Sequence, residues 1–574
     1  MTVIGHVVRV FGDLITIAIK EEFLSRIGRR GKFIRIITGK GVDVIGIVSG
    51  FNLIDELYRE SGGKIEYSSG YSELSLSRNE VIISLLGIIN GSDVERKIPA
   101  VPSPGDPVYE LNEEELNKIF NRGDIEIGSL ITDPNVKVGL DLNELCTKHL
   151  AILAMTGYGK SNTLAVLLLR LLNKLPHPRI LLVDTHSEYI MLASNESPIR
   201  DKVTVFAPIG RFQELINSLG IKTHDLEIPY WLLTIDEWYS LLNLDIRATK
   251  QRRILRDAIR SAKREVLPGA NVNDPVYFNI ERLRKIIERS KDSSAQDLLL
   301  KLDDILEVEE YAFILNPLNS LSIMEREGIE SVIRYVSRPI LISGLKILAL
   351  GGLSSEIQNA VVSMILRFMF RIAVEAKLRG TPIPTLIAIE EAHIYAPQAA
   401  TPTRGILERI AKEGRKFGLG LIIISQRPRE LSETVLAQCG NLIALRTVNP
   451  SDQQHIQRSL EDVTSMIITT LPGLGKGEAV ISGPMVPLPC VVQIDAFENV
   501  AQQSFGQNIC LGGKDINFRE LWSKEMDEYE IQNILKSLLV QLKKDFLNFG
   551  EHRKSKGEKI STSRIDKSLD EFLN

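Results

Sequence analysis

At 574 residues the chain is too long for one hydrophobic core of ordinary size, which points to about two to four domains. Hydrophobic residues at 44% and charged residues at 25% are the proportions of a soluble globular protein. The net charge of −4 excludes a uniformly basic surface. It does not exclude a nucleic-acid partner, since a ring can line its channel with cations and keep an acidic exterior.

No uninterrupted apolar run reaches the roughly 18 residues that crossing a bilayer requires. The best stretches, LAVLLLRLL and PILISGLKILALGG, carry Arg170 and Lys346. MTVIGHVVRVFGD lacks the cationic start and apolar core of a signal peptide, so a cytoplasmic protein with no membrane partner is expected. The cysteines Cys146, Cys439, Cys490 and Cys510 are scattered with no C-x-x-C pair, which argues against zinc or a disulfide framework.

In chain order, residues 1–142 read as short β-strands. VVRVF, Gly12-Asp13 and LITIAI form two strands around a turn, and FIRIITGKGVDVIGIVSGF repeats the arrangement. EVIISLLGII, PVYEL and VKVGLDL add more, and the whole predicts a small N-terminal β-barrel. Within it ELNEEELNKIFNR, at 110–122, has helical spacing. From 143 the texture becomes α/β. AILAM, ILLVD, VTVFA, PILIS, TLIAIEEA, LGLIIIS and NLIALRT read as buried parallel strands over 143–221 and 336–500. Residues 222–335 between them are charged, rich in helical spacing and without a strand run, hence a helical insertion. There Leu255, Ala258, Ile259 and Ala262 share one helical face. Residues 501–574 form a C-terminal extension whose tail, from about 546, is expected to be mobile or ordered only on a partner.

Three stretches carry chemistry. AILAMTGYGKSNT fits the P-loop pattern G-x-x-x-x-G-K-[ST] except that Ala154 holds its first position. Gly157 and Gly159 free the backbone to turn its N–H groups toward phosphates. Lys160 reaches the β/γ-phosphates, Ser161 ligates Mg²⁺, and Thr156, Tyr158 and Asn162 complete the ATP-contacting loop. A helix predicted over Asn162–Leu175 adds its positive end. In TLIAIEEAHIYAP a buried strand ends in Glu390 and Glu391, a metal-side acid and a water-activating base. In GLGLIIISQRP another ends in Gln426, an amide placed to sense the γ-phosphate. Ligands of open α/β sheets sit beyond the carboxyl ends of the strands, so one nucleotide site explains all three.

AILAMTGYGKSNT, LLVDTHSEY, IEEAH, RIAKEGRKFGLGLIIISQRPREL and GKGEAVISG together resemble the HerA branch of the FtsK/HerA motor ATPases. The resemblance covers most of the chain. It implies a RecA-like core behind a HAS-type barrel, assembled as a homo-hexameric ring that moves along double-stranded DNA by ATP hydrolysis. It also implies a NurA-type nuclease as partner in end resection for recombinational repair. By carry-over Arg415 matches an arginine finger, Asp184 an acidic position beside the site, and Lys148 a basic one before the P-loop strand. Two departures stand out: Tyr158 where the family has serine, and Ser187 where it has glycine.

A sequence-independent translocase needs phosphate contacts. Arg404, Arg409 and Lys412 after the acidic pair are candidates, as are Arg247, Lys250, Arg252, Arg253 and Arg256 in the insertion, which equally suit a solvated face. Two other functions fit the same motifs: a conjugation- or secretion-type pumping ATPase, and a non-catalytic ring scaffold gated by nucleotide.

Overall fold

Alternation of β-branched with polar residues closes the N-terminal strands into a barrel. In this computed structural model, which describes residues 2–19, 21–55, 77–91, 93–97, 101–197, 199–459 and 465–505, the barrel is antiparallel. Its strands are β1 (Val3–Phe11), β2 (Leu14–Ile19), β3 (Phe33–Ile37), β4 (Asp43–Asp55), β5 (Ser77–Asn90) and β7 (Pro107–Glu110). They run β2-β1-β7-β3-β4-β5, and pairing of β2 with β5 completes the circle; β6 (Asp93–Glu95) extends β5. Val7, Ile15, Ile17, Ile34, Val48, Ile83 and Val108 fill its interior.

The helix expected inside 110–122 spans Glu113–Phe120, and a reciprocal capping box of Asn112 and Glu115 fixes its start. The chain then leaves the barrel earlier than strand texture suggests. β8 (Ile125–Leu130) and β9 (Lys137–Leu140, within VKVGLDL) join the edge of the second sheet through β19 (Cys490–Ile494). Their inward residues Ile127, Leu130 and Val138 belong to the core of that sheet.

The second sheet runs β13-β12-β14-β11-β15-β16-β10-β17-β18-β19-β8-β9. Its parallel part comprises β10 (Leu150–Leu153), β11 (Arg179–Asp184), β12 (Val203–Pro208), β13 (Thr223–Leu226), β14 (Gly344–Ala349), β15 (Thr385–Ile389), β16 (Leu419–Ser425) and β17 (Asn441–Leu445). β18 (Glu478–Ser482) turns antiparallel against β17. Both faces are covered, so these strands read as continuous apolar runs. Alternate residues supply two cores: Leu181 and Val183 face one, Ile180 and Leu182 the other. The helix Lys160–Lys174 lies on the second face; Ser355–Leu378, Pro402–Glu413 and the insertion lie on the first.

Two further sequence expectations are corrected. PILIS is not a strand. Arg338–Leu341 is a helical turn with Pro339 in its first turn, and the strand begins only at Gly344. The insertion, read as free of strands, contributes β13, a four-residue edge strand too polar to register as a buried run. Otherwise the insertion is helical, and Thr249–Val266 buries Leu255, Ala258, Ile259 and Ala262 as predicted. One described helix, Ser355–Leu378, is long and apolar enough to cross a membrane by composition, and 72% of its apolar window is buried in the core. Its Arg367 pairs with the buried Glu237 at 2.9 Å.

The insertion is pinned by Lys263, whose ammonium is fully buried and donates to the carbonyls of Val272 at 2.9 Å, Asp274 at 2.7 Å and Trp231 at 3.4 Å. Burial pulls its pKa down to about 8, leaving it charged at neutral pH. Lys263→Met leaves those carbonyls without their donor, at a cost of roughly 1–3 kcal/mol each for any that stay dry. Hydrogen exchange of residues 230–275 should accelerate tenfold or more, while the sheet strands keep their protection.

Candidate functional site

The turn between β10 and the helix Lys160–Lys174 takes left-handed angles at Gly157 (φ 82°) and Gly159 (φ 104°). Both glycines are needed where they stand, because a side chain there would be strained. A Cβ on Gly159 would also lie 3.4 Å from Leu445 Cδ2 and 3.5 Å from Gly477 Cα. The loop packs between β17 and the turn before β18, and the helix aims its free N–H groups at the space above the sheet.

β15 and β16 deliver the rest. Lys160 Nζ makes a buried ion pair with Glu391 Oε1 and lies 4.0 Å from Glu390 Oε1. Gln426 donates from Nε2 to Glu391 Oε1 at 2.5 Å, and Thr156 donates its hydroxyl to Gln426 Oε1. The two predicted strand ends and the predicted loop thus meet as one hydrogen-bonded chain. Glu391 sits in the left-handed region at φ 46°, a conformation that costs a non-glycine residue about 1–2 kcal/mol. His393 Nδ1, 3.4 Å from Glu391 Oε2, is a neighbour that sequence reading missed. Burial lowers its pKa, so it stands there as neutral imidazole.

Ser161 donates its hydroxyl to Glu188 Oε2 at 2.9 Å. Glu188, also unread in the sequence, belongs to DTHSEY, whose turn is built by Asp184. The two carboxylate oxygens of Asp184 accept the N–H groups of Glu188 at 3.0 Å and Tyr189 at 2.9 Å. Asp184 is fully buried, so it shapes this wall from beneath. Ser187, at the family's glycine position, keeps the glycine-like φ of 58° and accepts the Gly351 N–H on its hydroxyl at 3.0 Å. Desolvation raises the pKa of both Asp184 and Glu390, and the Asp184 carboxylate raises that of Glu390 further.

Glu390 is 1% exposed, and neither of its carboxyl oxygens has a hydrogen-bond partner among the described residues. Its carboxyl lies beside Lys160, whose chain neighbour Ser161 carries a hydroxyl, a donor set that suits a divalent cation. No group of three or more metal-binding side chains exists among the described residues. A Mg²⁺ ion typically takes one or two protein groups and fills its shell with water and substrate phosphate.

The remaining predicted residues lie elsewhere. Asn162 commits its amide to the backbone, donating to Asp495 O at 2.9 Å and accepting from Phe497 N at 2.8 Å. Lys148 precedes β10 and Arg415 precedes β16, so both sit at the opposite, amino-terminal edge of the sheet. β16 has seven residues, which at about 3.3 Å each separates Arg415 from the phosphate edge by roughly 20 Å. Arg415 is exposed and joins no ion pair among the described residues. Arg404 is bound to Glu408 at 2.7 Å, Arg409 covers the Phe370 ring at 4.4 Å, and Lys412 is exposed. In the insertion Arg252 stacks on Tyr239 at 4.1 Å, while Arg247, Lys250, Arg253 and Arg256 face solvent.

A strand, a glycine turn with lysine and serine, and acids and an amide on the adjoining strand ends define a P-loop nucleoside triphosphatase. The chain belongs to the HerA helicase family: residues 125–369 match the family model described as "Helicase HerA, central domain", and 381–494 match "Helicase HerA-like C-terminal". It is 35% identical to the DNA double-strand break repair helicase HerA of Sulfurisphaera tokodaii, over 78% of this chain and 82% of that one. A probable helicase of Methanocaldococcus jannaschii is also 35% identical, over 77% and 79%. The Sulfolobus acidocaldarius HerA is 30% identical over 87% and 93%. Among solved structures, VirB4 of Thermoanaerobacter pseudethanolicus aligns with 66% of this chain and 98% of that one at a TM-score of 0.45 and 18% identity.

Glu391→Gln keeps the shape and the Gln426 contact but removes the carboxylate hydrogen-bonded to Lys160. Steady-state phosphate release should fall by about 10²–10⁴-fold, the range for loss of a general base. Nucleotide binding, followed by a fluorescent analogue, should persist.

Proposed function

We propose that the chain is an ATP-driven motor that moves along double-stranded DNA as a homo-hexameric ring. It would prepare duplex ends in the cytoplasm for a NurA-type nuclease in recombinational repair. The observation carrying this reading is the convergence of Lys160, Glu391 and Gln426 at one sheet edge. Membership in a family whose relatives are named double-strand break repair helicases supplies the substrate.

In this reading Lys160 and the loop amides from Thr156 to Ser161 hold the phosphates of ATP. Ser161 and Glu390 hold Mg²⁺, which when bound offsets phosphate charge. Once Lys160 turns to phosphate, Glu391 is released to accept a proton from the attacking water, and Gln426 exchanges its bond to Glu391 for one to the γ-phosphate. Hydrolysis places negative charge on the phosphoryl oxygens at the end of the loop where Lys160 stands. A second cation is called for, and Arg415 cannot supply it within its own chain because a whole strand intervenes. Its exposed position at the opposite edge supports an arginine finger reaching a neighbouring protomer, with Lys148 on the same edge as a second cation for that interface. DNA would be held by phosphate contacts, with Lys412 the freest of the cations after the acidic pair.

Each Arg415→Ala or Glu391→Gln protein alone should be inactive as an ATPase. Mixed in one preparation they should regain a fraction of turnover, because some interfaces then pair an intact Glu391 with an intact Arg415. Failure to regain any turnover at every mixing ratio rules out the shared site. Duplex DNA should stimulate the wild-type ATPase and bind more weakly as salt rises; salt-insensitive binding contradicts phosphate-led contact.

A further inference from the structure

The nucleotide site has two ends, and the residues above account for one of them. Lys160, Glu391 and Gln426 gather where β10 adjoins β16, with β15 next beyond it, so the γ-phosphate belongs on that side of the loop. The other neighbour of β10 is β17, in parallel register with Leu153 opposite Ala444. That register sets Arg446, just past the end of β17, at the loop's opposite shoulder, where its carbonyl accepts the Met155 N–H at 3.0 Å.

The Arg446 guanidinium stands 5.1 Å from the centroid of the Tyr158 ring. Its Nε is buried without a hydrogen-bond partner, and no carboxylate pairs with it among the described residues. A guanidinium in this condition is an unfilled receptor. Buried donors are nearly always bonded, and the fork of arginine fits phosphate oxygens. The turn Gly475–Gly477 forms the facing wall. Gly477 donates its N–H to the Tyr158 carbonyl at 3.2 Å, and Lys476 beside it is exposed.

We propose that Arg446, held in place by Tyr158, is the receptor for the α-phosphate of the bound nucleotide, with Lys476 as a weaker second cation. The inference rests on the P-loop reading and assigns the nucleoside end of that same site. A triphosphate with its γ-phosphate at Lys160 and Glu391 runs along the loop toward β17, and its α-phosphate comes to this shoulder. Tyr158, the residue that departs from the family's serine, then has a role: its ring carries the guanidinium by a cation–π contact where a serine would leave it unsupported. An α-phosphate contact is the same for ATP and ADP, so it contributes uniform binding and leaves the chemical step alone.

The test compares Arg446→Ala, Arg446→Gln and Lys160→Ala by steady-state ATPase kinetics in the full chain, each checked for retained fold by circular dichroism. Loss of a charge-assisted contact should raise KM for ATP and the inhibition constant of ADP together, by about 10-fold or more, with kcat within about twofold. Inhibition by pyrophosphate, which lacks an α-phosphate and nucleoside, should not change. Tyr158→Ala should raise the ADP constant in the same direction by a smaller factor. Unchanged KM and ADP inhibition in Arg446→Gln, or a fall in kcat at constant KM, overturns the assignment. Lys160→Ala separates the two levels. If it abolishes turnover while the Arg446 variants behave as wild type, the α-phosphate receptor alone is wrong. If it leaves turnover intact, the P-loop reading is wrong.

Discussion

The site is organised by one buried ion pair, between the Lys160 ammonium and the Glu391 carboxylate, whose side chains are 7% and 5% exposed. A buried charge without a partner is strongly unfavourable, so neither residue could occupy this position alone. The pair is therefore a mutual constraint. Lys160 gives the Glu391 carboxylate its partner in a dry place, and Glu391 keeps Lys160 aimed across the loop. An arriving triphosphate offers both Lys160 and Gln426 another anion and frees Glu391, which is the condition the proposed base requires. The topology meets this demand by placing β16 beside β10 and β15 beside β16, so that loop, acids and amide meet at one end of three consecutive strands.

Backbone conformation supports the same arrangement. Of the four non-glycine residues with positive φ among the described residues, Glu391 and Ser187 line the nucleotide edge and His149 opens β10 at the other edge. Strain of this kind persists only where the surroundings over-determine it. For Ser187 the compensation is its hydroxyl's contact with the Gly351 N–H, which lets serine occupy a glycine position. For Glu391 it is the pair of bonds to Lys160 and Gln426.

What the sequence revealed depended on how local each signal was. Strands buried on both faces announce themselves as apolar runs, and the loop glycines, Lys160, Glu390, Glu391 and Gln426 follow those runs at their carboxyl ends. PILIS was misleading because its apolar content marks burial without specifying helix or strand, and Pro339 decides for a helical turn. β8 and β9 were assigned to the barrel because half-exposed strands look alike wherever they pair, and their partner β19 lies more than 300 residues further on. Glu188, His393 and Arg446 were illegible for the same reason. Each acquires meaning only from a neighbour brought in by sheet order: Ser161, Glu391 and Tyr158 respectively. Asn162 was the converse case, a motif position whose side chain the fold spends on its own backbone.

The two edges of the sheet are linked more directly than a list of residues suggests. β16 begins just after the turn that carries Arg415 and ends just before Gln426, and all seven of its residues are buried. Its start is fixed by His149, which accepts the Leu421 N–H on Nδ1 at 3.1 Å and reaches the Ala411 carbonyl with Nε2 at 3.0 Å. These bonds require the neutral imidazole with its proton on Nε2, and burial lowers the pKa of His149 in that direction. A close-packed strand transmits displacement because neither core around it can absorb a shift. In the proposed ring, the element that meets the γ-phosphate in one protomer through Gln426 is continuous with the element that offers Arg415 to the next. Loss of the γ-phosphate at one site would then bear on the neighbouring site through a single short strand, with no need for a hinge or for a large movement of either domain.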